Sequence, residues 1–174
     1  MRTRLASQSE RRDILLKAGY LVALLLVVVP VADALTRTWP LRPGDERWRF
    51  GTLGIVFSAM VTPLLGVFLA MVTAALLEHG RTLWVIAVVT LVVAVAALAA
   101  IPAFGLDYLQ LRASVTAEAM AGFDSAARKA LVVGSLGGIV TLALGISGWR
   151  TARRMLLTRT GENVGIVISK EEKA

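Results

Sequence analysis

The chain reads as an all-α integral membrane protein, with four transmembrane helices in an antiparallel bundle and an external amphipathic helix at the interface. Three observations predict this class. Of 174 residues, 56% are apolar and 18% charged, against about 45–50% and about 25% in ordinary soluble domains; the mean hydropathy is +0.70. The apolar residues gather into four long runs whose only ionisable member is Asp33. The 19 Lys and Arg outnumber 12 Asp and Glu and flank those runs instead of crossing them. A soluble enzyme, a disordered chain and a disulfide-stapled secreted module are excluded together.

A spanning helix takes about 20 residues, since each adds about 1.5 Å against a hydrocarbon core about 30 Å thick. The runs cover residues 18–36, 51–77, 83–104 and 130–149. Many of their residues are Val, which favours strands in water. In lipid, runs of this length must be helices, because only a helix satisfies its backbone polar groups within one segment. The alternating pattern of a membrane β-barrel is absent. Pro63 and Pro102 predict kinks in the second and third helices.

Between the runs, residues 37–50 form a polar loop whose Trp39 and Trp48 suit the headgroup zone. Residues 78–82 form a tight turn that makes the second and third helices antiparallel neighbours. Residues 105–129 form a longer link. On a helical wheel Tyr108, Leu111, Val115, Ala119, Phe123 and Ala126 make one apolar stripe. Asp107, Gln110, Ser114, Glu118, Ser125 and Arg128 lie opposite, which predicts an interfacial helix over 107–128. Its apolar face is centred on Tyr108, Leu111, Val115 and Phe123, and Asp124 is placed to cap the fourth span.

Orientation follows from Lys and Arg alone. With both termini cytoplasmic, the inner side carries five in the N-terminus (1–17), Arg81, and six in the tail (150–174). The outer side carries four in 37–50 and three in 105–129. The excess predicts a bacterial inner (cytoplasmic) membrane with both ends inside, the basic flanks meeting anionic headgroups. Beside apolar runs these cations suit lipid, and no nucleic-acid partner is expected. A rival reading makes the first run a cleaved signal: a basic stretch, an apolar core, Pro30, then Ala32, Asp33 and Ala34 as a small-x-small site. Cleavage there would leave three spans.

Helix pairing in lipid rests on close contact and hydrogen bonds, because lipid tails are as apolar as leucine. The second run carries Gly54, Ser58, Thr62, Gly66, Ala70 and Ala74 every fourth residue, which predicts a straight seam of small side chains. The fourth carries Gly134 and Gly138, then Thr141, Gly145 and Gly148; the third offers Ala87, Thr90, Ala94 and Ala97. Such seams pack one bundle internally or dock a partner or a second copy. In the tail, Asn163–Ile168 is short and β-prone, and is expected to be flexible or to join a partner's sheet edge.

Chemistry is sparse. The single histidine, His79, lies in a turn, and no cysteine is present. A bis-histidine haem, a metal site, an activated serine and an aspartyl pair all lack their residues, so no cofactor and no catalysis are expected. Asp33, the possible ionisable site, stands one turn from Arg37 and is expected to pair with it at i,i+4. What is left predicts a non-catalytic accessory or scaffold subunit that contacts other membrane proteins or itself. The alternative is a self-associating channel or carrier for a small neutral or apolar solute.

Overall fold

The structure, a computed structural model, describes the backbone of residues 2–171 and the side chains of Ile14 and residues 17–158. The described residues form five helices: α1 (Arg2–Thr38), α2 (Glu46–Ala59), α3 (Val61–Leu76), α4 (Gly80–Arg112) and α5 (Ala117–Glu171). By length and composition Lys17–Thr38, Gly80–Arg112 and Ala117–Thr158 can each cross a membrane. The pair α2–α3, bent by 47°, makes a fourth if taken as one broken span. Large apolar side chains cover the outside, among them Leu24, Val85, Val92, Leu136 and Ile139. Water would penalise that surface and lipid does not.

α4 and α5 form the long antiparallel hairpin at the centre. Gly138 faces Leu98, Gly145 faces Leu91 and Gly148 faces Ala87, so α5 advances as α4 retreats. Ala87, Thr90 and Ala94 of α4 are buried along this seam, and Thr141 of α5 is 3% exposed with its hydroxyl donating to the Gly137 carbonyl at 2.6 Å. α2 lies against one end of the hairpin and α3 against the other. Among the described residues α1 runs closest to α3 and, less, to α2, with Tyr20 packed on the core that Met71, Ala74, Leu83, Ala87 and Ala152 form. The helices are arranged as an α4–α5 hairpin, a bent α2–α3 element against it and α1 on the flank.

Local chemistry explains the ends. Asp45 caps α2, its carboxylate accepting from the backbone N–H groups of Arg47 and Trp48. The second helix thus begins at Glu46, within the expected polar loop. The bend falls at Met60, three residues before Pro63. Proline offers no N–H to the Ala59 carbonyl, and Met60 reaches back only to Phe57 at 3.4 Å. α3 ends in a Schellman turn: Glu78 N–H donates to Ala75 and His79 N–H to Ala74. Glu78 holds the left-handed position at φ 55°, a conformation costing a non-glycine residue about 1–2 kcal/mol.

Two readings of the sequence need correction at the far end. Residues 105–129 do not make one interfacial helix, because α4 runs through Pro102 to Arg112, a turn takes 113–116, and α5 starts at Ala117. The apolar stripe is used inside the hairpin, with the Tyr108 and Phe123 rings stacked at 5.5 Å, while Val115 sits in the turn. Leu111 is half-buried nearby. Asp124 caps nothing, being about two turns inside α5. The β-prone Asn163–Ile168 is also helical, as part of α5.

Tryptophans mark both ends. Trp84 and Trp149 lie 5.7 Å apart at one. At the other, Trp48 donates its indole N–H to the Thr38 carbonyl at 2.8 Å. From Trp84 to Asp107 along α4 is about 35 Å at 1.5 Å per residue, close to the roughly 30 Å of a hydrocarbon core.

Candidate functional site

The densest polar chemistry among the described residues lies where α2 begins and the α4–α5 hairpin turns. Arg49, on the first turn of α2, forms two parallel hydrogen bonds to Asp107 of α4: Nη2 to Oδ1 at 2.7 Å and Nε to Oδ2 at 3.1 Å. Asp107 is 3% exposed. A guanidinium matches both of its oxygens at once, which offsets the cost of burying the pair. Arg49 also donates to the Pro43 carbonyl at 3.3 Å, tying the loop to the pair. One turn towards the hairpin tip, Asp124 accepts from the Tyr108 hydroxyl at 2.7 Å and from Arg112 at 3.2 Å.

Beneath these pairs lies an aromatic stack. Phe50 stacks on Phe104 at 4.6 Å and on Phe123 at 5.0 Å, and Phe57 meets Phe104 edge-on at 5.7 Å. Phe57 and Phe104 are fully buried. The stack excludes water below Asp107, and each aromatic contact adds about 0.5–1.5 kcal/mol beyond area burial. Arg49 with Asp107 and Arg112 with Asp124 are each paired with the opposite charge, so the arrangement fastens three helix ends together.

The sequence-predicted seam residues go to different neighbours. A step of four residues overshoots a helical turn by about 40°, so six such positions wind about half-way round, and the bend at Met60 divides them further. Gly54 faces the Phe104 ring, whereas Ser58 and Thr62 are exposed at the bend, with Ser58 bonding back to the Gly54 carbonyl at 2.8 Å. Gly66 meets α1, where an added Cβ would lie 2.8 Å from the Ala23 carbonyl oxygen. Ala70 is half-buried, and Ala74 joins Leu83, Ala87 and Ala152 in the core between α3, α4 and α5. The predicted straight seam is thus split among three partners.

In α5 four glycines are matched by large side chains: Gly134 by the Phe57 ring, Gly137 by Met60, Gly138 by Leu98 and Gly145 by Leu91. Asp33 bonds Arg37 at 2.9 Å, both groups more than half exposed.

Sequence reasoning missed Arg49, Asp107 and the phenylalanine stack. A helical start at Asp45 was the available signal, since it places Arg49 and Phe50 on the face that also carries Phe57. Two grooves flank the bend, one of about 510 Å³ between α1, α2 and α4, the other of about 470 Å³ between α3 and α5. Among the described residues no group of three His, Cys, Asp or Glu is placed to hold a metal ion. Comparison of the chain with protein-family models, with curated proteins and with solved structures gives no match.

Proposed function

We propose that the chain is a non-catalytic polytopic membrane protein acting as an accessory or scaffold subunit of a larger membrane assembly. It crosses a bacterial inner membrane four times, by α1, the bent α2–α3 pair, α4 and α5, with both termini cytoplasmic. One observation carries this reading. At the end away from the Arg49–Asp107 pair, two helices outrun the apolar spans. α1 has 37 residues and α5 has 55, about 55 and 80 Å at 1.5 Å per residue, against a core of about 30 Å.

That end is basic. Lys17, Arg81, Arg150, Arg153 and Arg154 are exposed and make no ion pair among the described residues. Each is worth about 1 kcal/mol beside anionic headgroups, which supports the cytoplasmic orientation. Retention of α1 is supported by its contact with α3, where Gly19 lies on Thr73 and Ala23 is buried; cleavage after Ala34 would uncover that face.

Mild-detergent purification of the tagged full chain is expected to recover other membrane proteins in a fixed ratio. A chain ending at Thr158 is expected to insert equally well and to lose them. Repeated recovery of the full chain alone would overturn the proposal. The alternative, a channel or carrier for a small neutral or apolar solute, would need a path between copies, since Phe57, Phe104 and Leu83 fill the interior of one. Solute flux into proteoliposomes above that of empty vesicles would favour it.

A further inference from the structure

Because α1 rests on α3 alone over its middle, a lateral groove of about 510 Å³ stays open between α1, α2 and α4. Small residues on α4, namely Ala96, Ala97 and Ala100, hold it open by failing to reach α1. Its walls are hydrocarbon except for the hydroxyls of Thr38 and Thr52, and the Thr38 hydroxyl is bonded to the Ala34 carbonyl at 2.9 Å.

Along α1 the groove runs from Pro30 to Thr38, about 12 Å at 1.5 Å per residue, close to half of the roughly 30 Å hydrocarbon core. It stops at mid-depth, where Ala23, Leu26 and Val27 close on Gly66. A spanning helix of a partner would need the whole thickness, whereas a lipid tail needs one leaflet.

The outer end opens beside Leu41, which lines it, and Arg42 follows. Two neighbouring cations are already used, Arg37 on Asp33 and Arg49 on Asp107. Arg42 is exposed and makes no ion pair among the described residues. A guanidinium matches phosphate oxygens in a fork. We infer that this groove binds one anionic phospholipid of the outer leaflet, an acyl chain lying between α1 and α4 and its phosphate on Arg42. The inference rests on the membrane reading above and is independent of any partner subunit.

The full chain, reconstituted into phosphatidylcholine vesicles containing a minority of phosphatidylglycerol, is extracted gently and weighed by native mass spectrometry. One phosphatidylglycerol per chain is expected, enriched over its share in the vesicle. Filling the groove with Ala34→Phe and Ala97→Phe is expected to abolish retention. Arg42→Gln changes an exposed side chain, leaves folding intact, and is expected to lower retention roughly tenfold. Undiminished retention in these variants would overturn the site, as would a preference for phosphatidylcholine, or a dimer that groove filling dissolves, which would mark a second copy as the occupant. If retention fails while the chain stays in the membrane fraction, the lipid site alone is lost; a chain in the soluble fraction would remove the membrane reading as well.

Discussion

Arg49→Met is expected to destabilise the protein by about 2–4 kcal/mol. Removing one member of a buried ion pair strands the other charge, at a cost of about 3–5 kcal/mol. Here the value is set lower because the Arg49 side chain is 39% exposed while that of Asp107 is only 4%, so water can approach from the arginine side. The pair is costly to break but need not be stabilising in net terms, since desolvating two charges offsets much of their attraction. Arg49→Met combined with Asp107→Leu should therefore recover most of what either single change loses. Phe50 and Phe104, stacked just below, offer an apolar surface for the new side chains. Thermal or denaturant unfolding in detergent measures the cycle. An Arg49→Met protein within about 0.5 kcal/mol of the parent would show a surface-like pair and would remove the clamp.

Gly66→Leu is expected to displace α1 from α3. Even a Cβ at Gly66 would meet the Ala23 carbonyl oxygen and Val27 Cγ2 at 2.8 Å and Leu26 Cβ at 2.9 Å. A backbone oxygen cannot rotate aside, so the helix must move, and overpacking of this kind costs about 1–3 kcal/mol or more. The natural chain has no cysteine, which gives a clean reporter. A Cβ on Gly19 would lie 3.8 Å from Thr73 Cβ, near the mean Cβ separation of about 3.8 Å in disulfides. Gly19→Cys with Thr73→Cys should cross-link readily under mild oxidation, and adding Gly66→Leu should reduce that yield severely. Gly122→Leu, at a glycine with nothing within 4 Å of its Cβ position, should leave it unchanged. Equal cross-linking with Gly66→Leu would contradict the contact.

Much of the helical framework was legible because a long uncharged run has one outcome in lipid. The α4 positions Ala87, Thr90 and Ala94 and the α5 glycines were legible too, since small residues at helical spacing let two backbones approach closely. What escaped were features set by tertiary choice. The stripe over 107–128 is amphipathic as one helix, yet the hairpin satisfies it better by folding Tyr108 onto Phe123. A repeat of four suggested one straight seam from Gly54 to Ala74, while 3.6 residues per turn winds it round the helix. Arg49 and Asp107 are 58 positions apart, and no local pattern links them. The position of α1 on the flank was equally hidden, because an apolar run reads alike whether it faces lipid or protein.

The number and direction of the membrane crossings are most directly tested with single cysteines in the cysteine-free chain and a membrane-impermeant thiol reagent on intact cells. Gly44→Cys, between α1 and α2, and Ser114→Cys, at the hairpin turn, are expected to react from outside. His79→Cys, between α3 and α4, and Leu157→Cys, beyond Trp149, are expected to react only after the cells are permeabilised. Reaction of Gly44→Cys and His79→Cys from the same side would contradict the bent α2–α3 pair as one crossing, and with it the four-span arrangement.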